Sequence, residues 1–180
     1  MSNIRASTRY ASALLGVAVE RNELEAVGKD VGFLEGLISG VPEFAHFLRS
    51  PVITKEKKKR VLRELLAGKT GETVGAFVLL LASKDRESLL EEIIRQFHRL
   101  RDERLGILNV TARAASEFTP EQEKRLGGQI GKATGKTVRL KVERDPSLIG
   151  GFTVQYEDTV WDASVRRQLE LLRERLTGGV

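Results

Sequence analysis

The chain has 180 residues, with 30 Lys or Arg against 25 Asp or Glu (net charge +5), two His and no Cys. Without thiols there is no disulfide framework, cysteine metal cluster or thiolate nucleophile, and two histidines leave little for a zinc site. The longest apolar stretch, Val74 to Ala82, falls short of the ~20 residues of a membrane helix, and Met1 to Ser7 lack the apolar core of a secretion signal; a soluble cytoplasmic chain of one ordinary or two small domains is expected.

Residues 1–105 read as a succession of amphipathic helices. The first places Ile4, Ala11, Leu14, Leu15 and Ala18 on one stripe at the 3.6-residue period. The second, about Asn22 to Ser39, carries Leu24, Val27, Val31, Leu34 and Ile38, with Gly40 at its stop. A short third spans Pro42 to Arg49 and is interrupted by Ser50-Pro51, because proline disfavours helix in the residue before it. The fourth is capped by Thr54 and repeats apolar pairs at Val61-Leu62 and Leu65-Leu66 up to Gly68. The fifth, about Glu72 to Ser83, is apolar nearly all round and is expected deep in the fold. The sixth, Glu87 to Leu105, shows Leu89-Leu90, Ile93-Ile94, Phe97 and Leu100. Six short helices predict a compact all-α domain, a six-helix bundle.

After Gly106 the period changes, and a hinge is expected near Arg104-Leu-Gly106. Leu108, Val110 and Ala112 alternate with polar residues, as in a strand with one buried face. Thr119-Pro-Glu-Gln122 is a capping box opening a helix to about Thr134, which Gly135 stops. Val138, Leu140 and Val142 alternate again, Asp145-Pro146 turns, and Phe152, Val154 and Tyr156 alternate once more; these are read as two adjacent strands. A last helix from about Ser164 carries Val165, Leu169, Leu172 and Leu176 on one stripe and ends before Gly178. The expected fold is thus mainly α in two domains, the helical bundle of residues 1–105 followed by a small α+β domain of residues 106–180.

The positive charge raises nucleic acid or an anionic surface as a partner. It is spread, however: 18 basic against 15 acidic residues over 1–105, and 12 against 10 over 106–180. The one concentrated run, Lys55 to Arg60, contains an acid and reads as a solvated helix face rather than a binding patch. Gly68-Lys69-Thr70 lacks the glycine five residues earlier that a phosphate loop needs, Arg63 standing there. No Gly-x-Gly-x-x-Gly or Gly-x-Ser-x-Gly occurs. His46 and His98 have no metal-ligand spacing, and His98 with Asp102 reads as an i, i+4 helix pair. No catalytic residue, metal site or cofactor emerges. A small basic nucleic-acid-binding protein remains the rival to an interaction module, and would bind with a steep salt dependence.

One continuous stretch is distinctive: Leu148-Ile149-Gly150-Gly151-Phe152 entering a strand, then Asp158, Asp162, Ser164, Val165 and Arg166 leading into the last helix. Glycine in a strand pattern marks a bulge or a close backbone approach, here between the last two strands. Asp162 or Ser164 can accept amide hydrogen bonds at the start of the last helix, so the stretch reads as structural. It closely resembles the signature of the delta subunit of bacterial F-type ATP synthases, the oligomycin-sensitivity-conferral family. Arg9-Tyr-Ala-Ser-Ala-Leu14, Ser50-Pro51-Val52 before a basic helix, and Gln96-Phe97-His98 extend the likeness over the whole chain. Two positions depart from it: Glu157 and Ala163 stand where many relatives have glycine, in turns around Val160-Trp161. Ordinary rather than left-handed backbone is expected there.

The resemblance implies a non-catalytic peripheral-stalk subunit at the cytoplasmic face of the bacterial plasma membrane, where it would couple ATP synthesis to proton transport by holding the catalytic head against rotation. Its helical domain would hold N-terminal segments of the alpha subunits, and its C-terminal part would meet the b subunits; neither a cofactor nor nucleic acid is implied. By the same resemblance the alpha segment lies between the first and fifth helices, a helix-in-groove contact. One wall would be Tyr10, Ala11, Leu14, Leu15 and Ala18, the other Phe77, Val78, Leu80 and Leu81. Ala11 and Ala18 would allow close approach, although each of these residues could equally be core. For the b contact the charged face of the last helix, including Arg166, Glu170 and Arg173, is the candidate.

Overall fold

The computed structural model describes residues 2–156 and 159–177, so Glu157, Asp158 and Gly178 lie outside the described residues. Among those described the chain is mainly helical, with one four-stranded sheet, and it divides into two compact units, Met1–Arg101 and Asp102–Val180.

The first unit contains α1 (Ser2–Glu20), α2 (Leu24–Gly40), α3 (Pro42–Arg49), α4 (Lys55–Leu66), α5 (Glu72–Ser83), a 3-10 turn at Glu87–Leu89, and α6 (Leu90–Arg104), which carries the chain onward into the second unit. The apolar stripes converge on one core in which Val27, Val31, Leu34, Leu62, Val78 and Phe97 are almost wholly enclosed. Burying a side chain of that size contributes about 1.5–3 kcal/mol, which is why the 3.6-residue repeat decides where each helix turns its face. The stripe of α1 has one exception: Ile4 is exposed.

Several expectations about this unit are corrected. Thr54 occupies the N-cap of α4 without a side-chain cap hydrogen bond. The helix is instead pinned by its own lysines. Lys58 is buried, with Nζ 2.5 Å from Glu87 Oε1 and donating to the Leu48 carbonyl at 3.2 Å. Lys55 meets Asp85 at 2.7 Å and donates to the Ser83 carbonyl; the Asp85 carboxylate holds its ammonium above the ordinary lysine range. The basic run is therefore no simple solvated face. Nor is α5 enclosed all round: Val74, Val78, Leu81 and Ala82 are buried, but Leu80 is 48% exposed. His98 does not pair with Asp102; its Nε2 stands 3.2 Å from Glu35 on α2.

The second unit holds β1 (Ile107–Ala114), α7 (Pro120–Thr134), β2 (Thr137–Arg144), a 3-10 turn at Pro146–Leu148, β3 (Phe152–Tyr156), β4 (Thr159–Asp162) and α8 (Val165–Thr177). The sheet order is β2-β1-β3-β4, with β1 and β2 parallel and the other pairs antiparallel. The strands read as adjacent, β2 and β3, are thus separated by β1, because α7 serves as the crossover that a parallel pair requires. Val160-Trp161 lies in a fourth strand that the sequence pattern does not announce, because four exposed residues give no alternation of burial. The capping box at Thr119 and Gln122 forms, and Gly135 closes α7 at φ 68°. Leu108, Val110, Ala112, Val154 and Ile130 form the core between α7 and the sheet. Asp102, buried and the first residue of this unit, accepts from Asn109 Nδ2 (2.6 Å) and Arg139 (3.0 Å). Helix runs to Arg104, and Gly106, at φ 64°, begins the strand connection.

Candidate functional site

Two arrangements stand out, one in each unit. In the first, α1 and α5 diverge enough to leave an open trough of about 370 Å³. Its α1 wall is Tyr10, Ala13, Leu14, Val17 and Arg21; its α5 wall is Glu72, Thr73, Ala76, Phe77 and Leu80. Both walls follow the i, i+3, i+4, i+7 spacing of one helical stripe. The rings of Tyr10 and Phe77 meet edge to face across it, centroids 6.4 Å apart, as the ring quadrupoles favour. At one end Thr73 donates to Glu23 (2.8 Å) and accepts from Arg21 (3.3 Å), giving the trough a polar stop.

Each of these helices carries two stripes, and the sequence reading merged them. Of the predicted wall residues, Tyr10, Leu14, Phe77 and Leu80 line the trough. Ala11, Ala18, Val78 and Leu81 do not: they are fully buried on the neighbouring stripe and pack the core, while Leu15 is half-buried against that core. The small exposed residues on the trough walls are Ala13 and Ala76. A helical wheel that separated positions 10, 13, 14, 17 and 21 from 11, 14 and 18 would have found them.

In the second unit the glycine-rich stretch organises the start of α8. Gly151 has φ 75°, and a Cβ there would fall onto the carbonyl oxygen of Ala163. Only glycine permits both the conformation and the approach. The approach joins the entry of β3 to the exit of β4, where Ala163 N–H donates to the Phe152 carbonyl and Val165 N–H to that of Gly150. Ala163 has no positive φ. The Asp162 carboxylate accepts from Ser164 N–H (2.9 Å), and the enclosed Ser164 hydroxyl accepts from Arg167 N–H (3.1 Å). The hydrogen bonds from Ser164 hold the Asp162 carboxyl below the usual aspartate range. Leu148 anchors the loop in the interior, while Ile149 is 68% exposed at φ 66°.

Beyond that junction α8 is exposed along its described length. Arg166, Glu170 and Arg173 stand in solvent as expected, but so do Leu169, Leu172 and Leu176. Arg167 pairs with Glu170 (3.6 Å) and Glu174 (4.0 Å). No helix among the described residues is long and apolar enough to cross a membrane.

The model for the ATP synthase delta (OSCP) subunit matches residues 6–176. The chain belongs to the ATP synthase delta (OSCP) subunit family. Within this delta/OSCP family it is 42% identical to the ATP synthase subunit delta of Chlorobaculum tepidum over 176 residues, 98% of this chain and 97% of that one. It is 41% identical to the ATP synthase subunit delta of Salinibacter ruber over 177 residues, 98% and 93% of the two chains. Its fold is similar to that of a chain in the cryo-EM structure of the Toxoplasma gondii mitochondrial ATP synthase hexamer, with a TM-score of 0.73, 23% identity, and coverage of 97% of this chain and 98% of that one.

Proposed function

We propose that the chain is a non-catalytic peripheral-stalk subunit of an F-type ATP synthase, joining the catalytic head to the b-subunit stalk at the cytoplasmic face of a bacterial plasma membrane. The helices of residues 1–105 act as one bundle that holds an N-terminal segment of an alpha subunit, and residues 106–180 meet the b subunit. The observation that carries this reading is the open apolar trough between α1 and α5, in a chain whose family match runs from residue 6 to residue 176.

Such an adaptor performs no chemistry. It must bind at two ends and transmit torque without unfolding. A trough walled by Tyr10, Val17, Phe77 and Leu80, floored by Leu14 and relieved by Ala13 and Ala76, accepts the apolar face of an amphipathic helix. The nucleic-acid alternative is weakened, because two of the five cations of its basic run, Lys55 and Lys58, are engaged by Asp85, Glu87 and backbone carbonyls.

Calorimetric titration with a synthetic N-terminal segment of the alpha subunit from the same organism tests the head-facing end. Saturable binding by the wild type, lost in a folded Leu80→Asp variant, is the expected result. A folded wild type that does not bind the segment would overturn this assignment.

A further inference from the structure

The exposed side of α8 has an order that the charged residues alone do not reveal. Val165, Leu169, Leu172 and Leu176 follow one another at spacings of four, three and four, the seam of a two-stranded coiled coil. All four are exposed, at 37%, 51%, 53% and 77%. With Leu169 and Leu176 at the a positions and Val165 and Leu172 at d, the flanking e and g positions are Arg166, Gln168, Arg173 and Arg175. The flanks are therefore basic or neutral throughout. The acids Glu170 and Glu174 fall at b and f, on the far side, where Arg167 pairs with both.

An exposed leucine seam of this length invites a second helix, and its flanks decide which one. Opposite charges at e and g favour a pairing and like charges disfavour it. Two copies of α8 would bring arginine against arginine, so self-association is disfavoured. A partner helix with glutamate or aspartate beside its own apolar seam is favoured. Ile149 is a β-branched residue at positive φ, a strained conformation, and lies next to Gly150, whose carbonyl receives the first amide of α8. The Ile149 side chain is itself exposed.

We propose that α8 docks an acid-flanked amphipathic helix in coiled-coil register, the leucine seam supplying the affinity and Arg166, Arg173 and Arg175 the selection against basic helices and against a second copy of this chain. This rests on the reading of the second unit as the stalk-facing end, and describes the kind of helix the b subunit must present there.

The test uses the full chain and two labelled four-heptad peptides with leucine at a and d, one with glutamate and the other with lysine at every e and g, followed by fluorescence anisotropy. The wild type is expected to bind the glutamate peptide at least ~10-fold more tightly than the lysine peptide, with the difference shrinking as salt rises. Arg166→Glu, Arg173→Glu and Arg175→Glu together should invert the preference. Leu169→Asp with Leu172→Asp, both exposed and so harmless to folding, should abolish binding of either. Equal binding of the two peptides, binding of neither, or a preference that the triple variant leaves unchanged would overturn the proposal. A soluble b-subunit segment is titrated in parallel. If it binds but is indifferent to the triple variant, the proposal fails and the stalk reading stands; if only the glutamate peptide binds, the stalk reading fails and the proposal stands.

Discussion

Lys58 and Glu87 form an ion pair of 2.5 Å in which each side chain is less than one-tenth exposed, tying α4 to the turn before α6. Breaking a buried pair from one side strands a charge in a low-dielectric interior and typically costs about 3–5 kcal/mol, whereas replacing both partners by apolar groups often costs little. Lys58→Met alone should therefore lower the urea midpoint strongly, and Lys58→Met with Glu87→Leu should recover most of the loss. Equal costs for the single and double variants would contradict the pair's role.

The two stripes of α1 give a second expectation. Ala11 is fully buried, so Ala11→Leu overpacks the core and should cost about 1–3 kcal/mol. Ala13 is exposed on the trough wall, so Ala13→Leu should leave stability within about 0.5 kcal/mol while weakening binding of the alpha segment. Thermal unfolding and calorimetry on the two variants separate these effects.

Gly151→Ala places a methyl group against the Ala163 carbonyl at a backbone φ of 75°. The conformation alone costs about 1–2 kcal/mol, and the collision adds to it. Gly150→Ala meets only the Val165 side chain, which can move, and should be the milder change. The fluorescence of Trp161, the single tryptophan, reports unfolding of this unit without interference.

Asp162 titrates below its ordinary value because hydrogen bonds from Ser164 favour the carboxylate. A folded value below the unfolded one contributes stability above the unfolded value, and that contribution is lost as pH falls through the folded value. Acidification below the usual aspartate range should thus loosen the start of α8, seen as faster hydrogen exchange at Ser164. Asp162→Asn should remove this pH dependence; an unchanged profile would contradict it.

Most helices were legible because their burial repeats every 3.6 residues: α3 and α5 appear with the boundaries expected, Pro42 to Arg49 and Glu72 to Ser83. What escaped has physical causes. β4 has no buried face, so no alternation marks it. The separation of β2 from β3 depends on a crossover connection that local patterning does not encode. Lys58 looked like surface because nothing in its own helix announces Glu87, twenty-nine residues away. In the trough, residues of the two stripes alternate within a single turn, and only the direction of each side chain distinguishes Ala11 from Ala13.

The direct test of the two-ended adaptor is sedimentation velocity of the full chain with the alpha N-terminal segment and a soluble b-subunit segment, alone and together. A single ternary complex is expected, with Leu80→Asp losing only the alpha segment and Leu169→Asp with Leu172→Asp losing only the b segment. Mutual displacement of the two segments, or loss of both by either variant, would contradict it.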